Sequence, residues 1–211
     1  MTQRVYYHSD DLALQTQVLD CSPGDDGKFR VVLAATLFHP QGGGQLSDQG
    51  TIAGVAVSRV IQDGDVVVHI TEHEVGLGAA RIEIAPDVRS LHARLHSAGH
   101  LIANVVEPLG WLAVKGHHWP GEGRVVFEPG ASPQALSAEA LEEAINLLVA
   151  SDAARHVNDR GGARSVGFGA LPAYDCGGTH VASTAQVGRI NILKLKEKKG
   201  QVSIQYDLQT P

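Results

Sequence analysis

Apolar and polar positions along the chain change rhythm near residue 88. Ahead of that point, short stretches alternate with a period of two or form Val-rich runs, separated by Gly and Asp turns. Leu12–Cys21, Lys28–Thr36, Thr51–Ile61, Val66–Ile70 and Arg81–Ile84 read as strands. Asp25-Asp26-Gly27 marks a turn, Asp63-Gly64 a hairpin, and Pro86 ends the last run. Short strands with tight turns and no helical period predict a small β-barrel-like domain over 1–87. Beyond it, Leu91, Leu95, Ala98, Ile102 and Val105 recur at helical spacing, so a helix is expected from Leu91 to about Glu107, with Ser90 as N-cap and Pro108 closing it. A second helix is expected over Ala138–Ala150 behind Ser137, burying Leu141, Ile145 and Leu148. Arg124–Phe127, Arg189–Lys196 and Val202–Asp207 read as strands, the last two joined by a Lys199-Gly200 turn. Two helices set against antiparallel strands make 88–211 an α+β domain, and α+β the class of the whole chain.

Charge supports the same division. Residues 1–87 carry 5 basic and 12 acidic side chains, and 88–211 carry 12 and 11, within a total net charge of −6 over 211 residues. An acidic chain is not a general nucleic-acid binder, because phosphate neutralisation needs a cationic face. The longest apolar run is about eight residues, Val31 to Phe38 interrupted by Thr36, too short to span a membrane. The first ten residues have no apolar signal core, and two cysteines make no disulfide framework. A cytoplasmic protein is therefore expected.

Histidine is abundant, at 11 residues, and its placement carries the chemistry. About 0.6 His pairs at spacing four are expected from composition, whereas the chain has three: His69/His73, His92/His96 and His96/His100. Residues four apart share a helix face, so two imidazoles can converge on one ion. Spacing alone leaves His92/His96 and His96/His100 in competition, since successive pairs drift by about 40° around the helix. His69 and His73 straddle a strand end and are expected to be exposed. Asp175-Cys-Gly-Gly-Thr-His180 adds a thiol and an imidazole around two glycines that let backbone approach an ion closely. One Cys and three His suit zinc, which takes thiolate and imidazole in a tetrahedron. Whether His180 is a direct ligand or acts beside the metal as an acid/base is open at this level. Cys21 has no such context and reads as core.

The third feature is Phe38-His-Pro-Gln-Gly-Gly-Gly-Gln-Leu-Ser-Asp-Gln-Gly50. It has neither a Walker-type Lys-Ser/Thr nor the G-x-G-x-x-G spacing, so it is not a nucleotide-phosphate loop. Together with His96-Ser-Ala-Gly-His100, Cys176-Gly-Gly-Thr-His180, Lys115-Gly-His-His-Trp-Pro120 and Val187-Gly-Arg-Ile-Asn-Ile-Leu-Lys194, it resembles the alanyl-tRNA editing proteins of the AlaX type. These are freestanding relatives of the editing domain of alanyl-tRNA synthetase, and the motifs cover nearly the whole chain in order. His39 stands where the family usually has Tyr, and Ser97 where Thr is commoner.

The resemblance implies a barrel-like front domain and a zinc-binding α+β editing domain. It implies one Zn2+ held by His96, His100, Cys176 and His180, the residues on which catalysis depends, leaving His92 a non-ligand. It implies trans hydrolysis of mischarged tRNA(Ala), chiefly seryl-tRNA(Ala), with glycyl-tRNA(Ala) a further target. A zinc hydrolase for another aminoacyl-tRNA or ester, and a non-enzymatic RNA-binding module with a structural zinc, are the alternatives. Candidate substrate-binding residues are Gln45 and Asp48 in a cleft, Ser97, His117 and Thr179 as readers of a serine hydroxyl, and the Gly177 and Gly178 amides as oxyanion donors. Arg189, Lys194, Lys196, Lys198 and Lys199, opposed by Glu197, give a local balance of +4 and are candidate tRNA contacts.

Overall fold

A computed structural model describes residues 1–24, 27–160 and 163–209. The turn expected at Asp25-Asp26 lies outside the described residues. By its contacts the chain divides into two compact units, Met1–Gly42 with Leu46–Ser90, and Gly43–Gln45 with Leu91–Pro211.

The first unit contains β1 (Gln3–Arg4), β2 (Ala13–Pro23), β3 (Phe29–Leu33), β4 (Ala35–Thr36), β5 (Gly50–Ile52), β6 (Val55–Asp63), β7 (Val66–Thr71) and β8 (Gly78–Ile84). Strands β1 and β4 form a short parallel pair. The other six pair antiparallel in the order β2-β3-β7-β6-β5-β8, and β8 returns to β2, so their ladder closes on itself. Alternation explains the filling: Val31, Leu33, Val60 and Ile82 are fully buried, in one cluster with Phe38. The run predicted as a single strand over Thr51–Ile61 is two strands. Ala53 and Gly54 both take positive φ (49° and 81°), the left-handed pair that a two-residue hairpin turn requires.

His69 is a correction. It is completely buried on β7, with Nδ1–H donating to the Val31 carbonyl at 3.1 Å, Nε2 facing the Thr36 hydroxyl at 2.8 Å, and Phe38 edge-on. Satisfied at both ring nitrogens, an imidazole can occupy an apolar interior, and sequence alternation alone does not reveal that. His73 is exposed, as expected.

The long helix α1 (Pro86–Val106) begins five residues before the expected Leu91 start, leaving Ser90 inside it. Pro86 is the reason: a proline at the first helical position has φ already set and no N–H to satisfy. Asp87 in the first turn favours the same start. A 3-10 turn at Glu107–Leu109 ends α1, with Gly110 left-handed at φ 86°.

The second unit adds β9 (Trp111–His117), β10 (Arg124–Pro129), α2 (Ala138–Ala150), β11 (Arg155–Arg160), β12 (Ala163–Phe168), β13 (Tyr174–Asp175), β14 (Ile190–Lys198) and β15 (Gln201–Leu208). Helix α2 has the predicted bounds, and Ser137 Oγ accepts the Ala140 N–H. One sheet runs β14-β15-β10-β9 and a smaller one β11-β12-β13, all pairs antiparallel. The first sheet turns Val125, Phe127, Val202, Ile204 and Tyr206 into a core shared with Leu95, Leu101 and Ile102 of α1 and Ile145 of α2. The fold is thus α+β. No helix among the described residues is long and apolar enough to cross a membrane.

Burial lowers the His69 pKa from 6.5 to about 4, outweighing its bond to Val31. Unfolded chains then bind more protons than folded ones between those values, so stability is full above pH 6.5 and is lost as pH falls towards 4, by about 3 kcal/mol from this residue. We expect His69→Met to be less stable at pH 7, through two lost hydrogen bonds, yet to lose about 2–3 kcal/mol less than wild type between pH 7 and pH 4.5. Denaturant titrations at both pH values measure this, and equal losses in the two proteins would refute it.

Candidate metal centre

Helix α1 carries His96 and His100 one turn apart, and the segment after β13 carries Cys176 and His180. One ligand atom from each of these four lies within 4.8 Å of the others. His96 Nε2 is 3.5 Å from Cys176 Sγ, and His180 Nε2 is 3.2 Å from it. Zn–N bonds of about 2.0–2.1 Å and a Zn–S bond of about 2.3 Å set tetrahedral ligand atoms about 3.4–3.6 Å apart, so the donors need little adjustment to close on one ion. The His100 Nδ1 atom is buried with no hydrogen-bond partner. A buried imidazole nitrogen in that state fits a metal better than an apolar wall. His92 is buried on the same helix and is not among the four.

The far sides of two imidazoles are anchored. His96 Nδ1 lies 2.6 Å from Gln45 Oε1, which also accepts the Thr179 N–H at 3.1 Å, while Gln45 Nε2 donates to Thr179 Oγ1 at 2.8 Å. These contacts fix the amide's orientation, so the proton on His96 sits on Nδ1, and Nε2 is the atom that could bind a metal. Ser97 Oγ accepts the Val181 N–H and sits 3.1 Å from His180 Nδ1, anchoring the second imidazole alike. The Arg164 guanidinium donates to the carbonyls of Cys176 and Gly178 and pins the loop. Burial holds His100 near pKa 4 and pulls His180 well down, in each case aided by Arg164, so both are neutral at pH 7. Burial pushes the Cys176 thiol up, against the Gly178 N–H and Arg164.

Two glycines make the approach possible. A Cβ on Gly178 would collide with the His96 ring and with Gln45 Oε1. Gly44 is left-handed (φ 78°), and a Cβ there would strike the Gly116 carbonyl; its own carbonyl accepts the His118 N–H at 2.8 Å. The Gly-rich segment thereby joins Gly43–Gln45 to the second unit.

Several sequence candidates have other places. Asp48 is fully buried in the first unit, its carboxylate taken by Arg89 Nε and Nη2 (3.0 and 2.6 Å) and by the His39 N–H. The carboxylate is thereby held in a buried ion pair. The Gly178 N–H donates to Cys176 Sγ (3.3 Å), where it favours the charged form of the sulfur; Gly177 is exposed. The hydroxyls of Ser97 and Thr179 serve His180 and Gln45. His117 faces Glu122 at 3.3 Å and lies against Trp119. Its neighbour His118 is the one at the centre, stacked on His96 with centroids 4.6 Å apart and Nδ1–H donating to Tyr206 Oη at 2.7 Å. Sequence reasoning passed over His118 because no His lies four positions from it. Arg189 pairs with Glu142, and Lys194, Lys196, Lys198 and Lys199 are exposed.

A cavity of about 190 Å³ adjoins the group, lined by Gly99, His100, Ala103, Gly116, His118 and Tyr174 among others. Tyr174 stands edge-on to His100 and donates to Glu107 Oε2 at 2.7 Å. Gly99 and Gly116 admit the His118 ring beside this space, because a Cβ at either position would strike it.

A model of the "Threonyl and Alanyl tRNA synthetase second additional domain" matches residues 164–203, which include Cys176 and His180. An alanine–tRNA ligase of Nocardioides sp. is 31% identical over 210 residues, covering 83% of this chain and 23% of that protein. The mouse alanyl-tRNA editing protein Aarsd1 is 34% identical, over 64% of this chain and 36% of its own length. The alanyl-tRNA editing protein AlaX-L of Pyrococcus horikoshii is 26% identical, covering 94% and 55%. The chain therefore spans about a quarter to a half of the relatives it matches.

Removing the acceptor behind His96 tests the anchoring. Gln45→Leu and Gly178→Ala are each expected to weaken metal affinity about 10–100-fold in a chelator competition while folded structure persists. Wild-type affinity in both variants would contradict it.

Proposed function

The chain belongs with the AlaX-type alanyl-tRNA editing proteins, and from that premise we propose that it is a zinc-dependent hydrolase that removes the wrong amino acid from tRNA(Ala), chiefly serine and also glycine. The observation that carries this reading is the convergence of His96, His100, Cys176 and His180 beside a cavity of about 190 Å³. On this reading the closed sheet of the first unit is the barrel-like front domain, and residues from 88 onward form the editing domain.

When bound, zinc supplies Lewis-acid polarisation of a carbonyl next to it. The chain's own residues orient and select. Gln45 and Ser97 hold two imidazoles by their Nδ1 sides, which directs Nε2 inward. Arg164 fixes the loop that carries Cys176, and the Gly178 N–H favours the charged sulfur, the form a metal needs. His118, stacked on His96 and fixed by Tyr206, forms one cavity wall; His100 and Tyr174 form another. Gly99, Ala103 and Gly116 line the space beside His100 and His118 in which the acyl side chain would lie. Size alone does not separate serine from alanine, since a hydroxyl adds little volume. The imidazole and phenol groups around the cavity give a serine hydroxyl partners that alanine leaves unpaired. Four protein donors would also suit a structural zinc, and the same experiment separates the two.

Metal analysis should return about one zinc per chain, lost when His96 and Cys176 are both replaced. The protein should release serine from tRNA(Ala) faster than from tRNA(Thr) or tRNA(Ser). Cys176→Ala should lower that rate at least about 100-fold with its circular dichroism kept. Unfolding of the second unit in that variant, or equal rates on the three tRNAs, would sink the proposal.

A further inference from the structure

We infer that the solvent face of the β14-β15-β10-β9 sheet is the surface on which the RNA substrate's phosphate backbone lies, its path ending at Lys115 on the rim of the cavity. The inference rests on the deacylase reading and extends it to a defined docking surface.

Side chains on one face of a sheet recur at every second residue and line up across paired strands. The face carrying Val125, Phe127, Val202, Ile204 and Tyr206 is buried, so the residues between them look outward. Register then places three rows on the outer face. Lys194 pairs with Gln205, Gln205 with Arg124, and Arg124 with His117. Lys196 pairs with Ser203, Ser203 with Val126, and Val126 with Lys115. Lys198 pairs with Gln201, whose amide donates to Glu128 at 2.9 Å. Three separate strands thus bring Lys115, Arg124, Lys194, Lys196 and Lys198 onto one surface. Its strand carboxylates are Glu128 and Asp207; Glu197 pairs with buried Val202 and belongs to the opposite face. Five cations against two anions give +3 on this face, in a chain whose net charge is −6. None of the five is in an ion pair among the described residues. Glu122, beyond the end of β9, is turned to His117.

Three inter-strand gaps of about 4.8 Å and a rise of about 3.4 Å per residue make this area about 14 Å on a side, room for several phosphates. The far corner is Lys198 on one edge strand. Lys115 lies on the other edge strand, in the row of Lys196, and also lines the cavity with His100 and His118. An ester at the 3′ end of a polynucleotide enters a cavity with its own backbone trailing, and this face supplies opposite charge where that backbone emerges. Arg189 is excluded because Glu142 occupies it, and Lys199 because it sits in the turn with φ 53°.

The test is the affinity for uncharged tRNA, followed by fluorescence anisotropy from 50 to 300 mM KCl. Lys194→Ala/Lys196→Ala/Lys198→Ala should flatten the log–log salt slope by about 2–3 and weaken binding at least about tenfold at 100 mM. Lys115→Ala/Arg124→Ala should flatten it by about 2. The triple Lys→Arg variant should keep the wild-type slope, and Arg189→Ala should too. Zinc content and circular dichroism check that each variant is folded. Wild-type slopes in both alanine variants would overturn the surface while leaving the deacylase reading intact. No loss of serine from tRNA(Ala) with wild type, alongside lysine-dependent tRNA binding, would overturn the deacylase reading and keep the surface. Binding to phosphatidylserine vesicles in place of tRNA would overturn the surface.

Discussion

Everything at the centre depends on two imidazoles being held from behind. A histidine can turn either nitrogen towards an ion, and a free ring samples both. Gln45 Oε1 takes the Nδ1 side of His96, Ser97 Oγ takes that of His180, and both Nε2 atoms then meet Cys176 Sγ at 3.5 and 3.2 Å. Gln45 is itself fixed by two bonds to Thr179, next to His180 in sequence. One amide therefore ties the glycine-rich segment, helix α1 and the Cys-His loop together. Such outer partners commonly govern metal affinity as strongly as the ligands' own chemistry does.

That constraint explains the glycines better than loop flexibility does. Gly178 lies where any side chain would strike the His96 ring and the Gln45 amide, and Gly44 lies against Gly116. Both permit close approach of backbone to a crowded centre. The same crowding shields much of the site from solvent: His96, Ser97, His118, Thr179 and His180 are all buried. In that low-dielectric setting His100, His118 and His180 remain neutral, and every hydrogen bond around them counts for more than it would in water.

Charge is organised on the opposite principle. The buried Asp48 carboxylate is paired with Arg89, whereas cations on the outer sheet face are left to solvent. A net negative chain with a local cationic face combines weak general attraction for polyanions with a preferred place of contact.

The residue pattern by itself determined the α+β class, the bounds of α2, the Lys199-Gly200 turn and the ligand residue types. Each follows from a local rule: helical period, a capping serine, a left-handed glycine, and imidazole and thiol as soft donors. It misplaced the start of α1, because Pro86 serves a helix as its first residue as readily as it ends a strand. It missed β9, β11, β12 and β13, which show little alternation; Arg155–Arg160, for instance, is mostly polar. It read His69 as exposed and overlooked His118, since no spacing rule tells a buried, doubly bonded imidazole from a solvated one. Spacing left His92 and His100 in competition and only the family resemblance implied His100; the tertiary structure brings His96 and His100 to Cys176 and His180. It alone decided that Gln45 stands behind His96 while Asp48 serves Arg89, and that lysines from different strands share one face. These contacts join residues 41 positions apart, as Asp48 and Arg89, and 80 apart, as His96 and Cys176, and their geometry comes from sheet register and core packing, which no local stretch of sequence encodes.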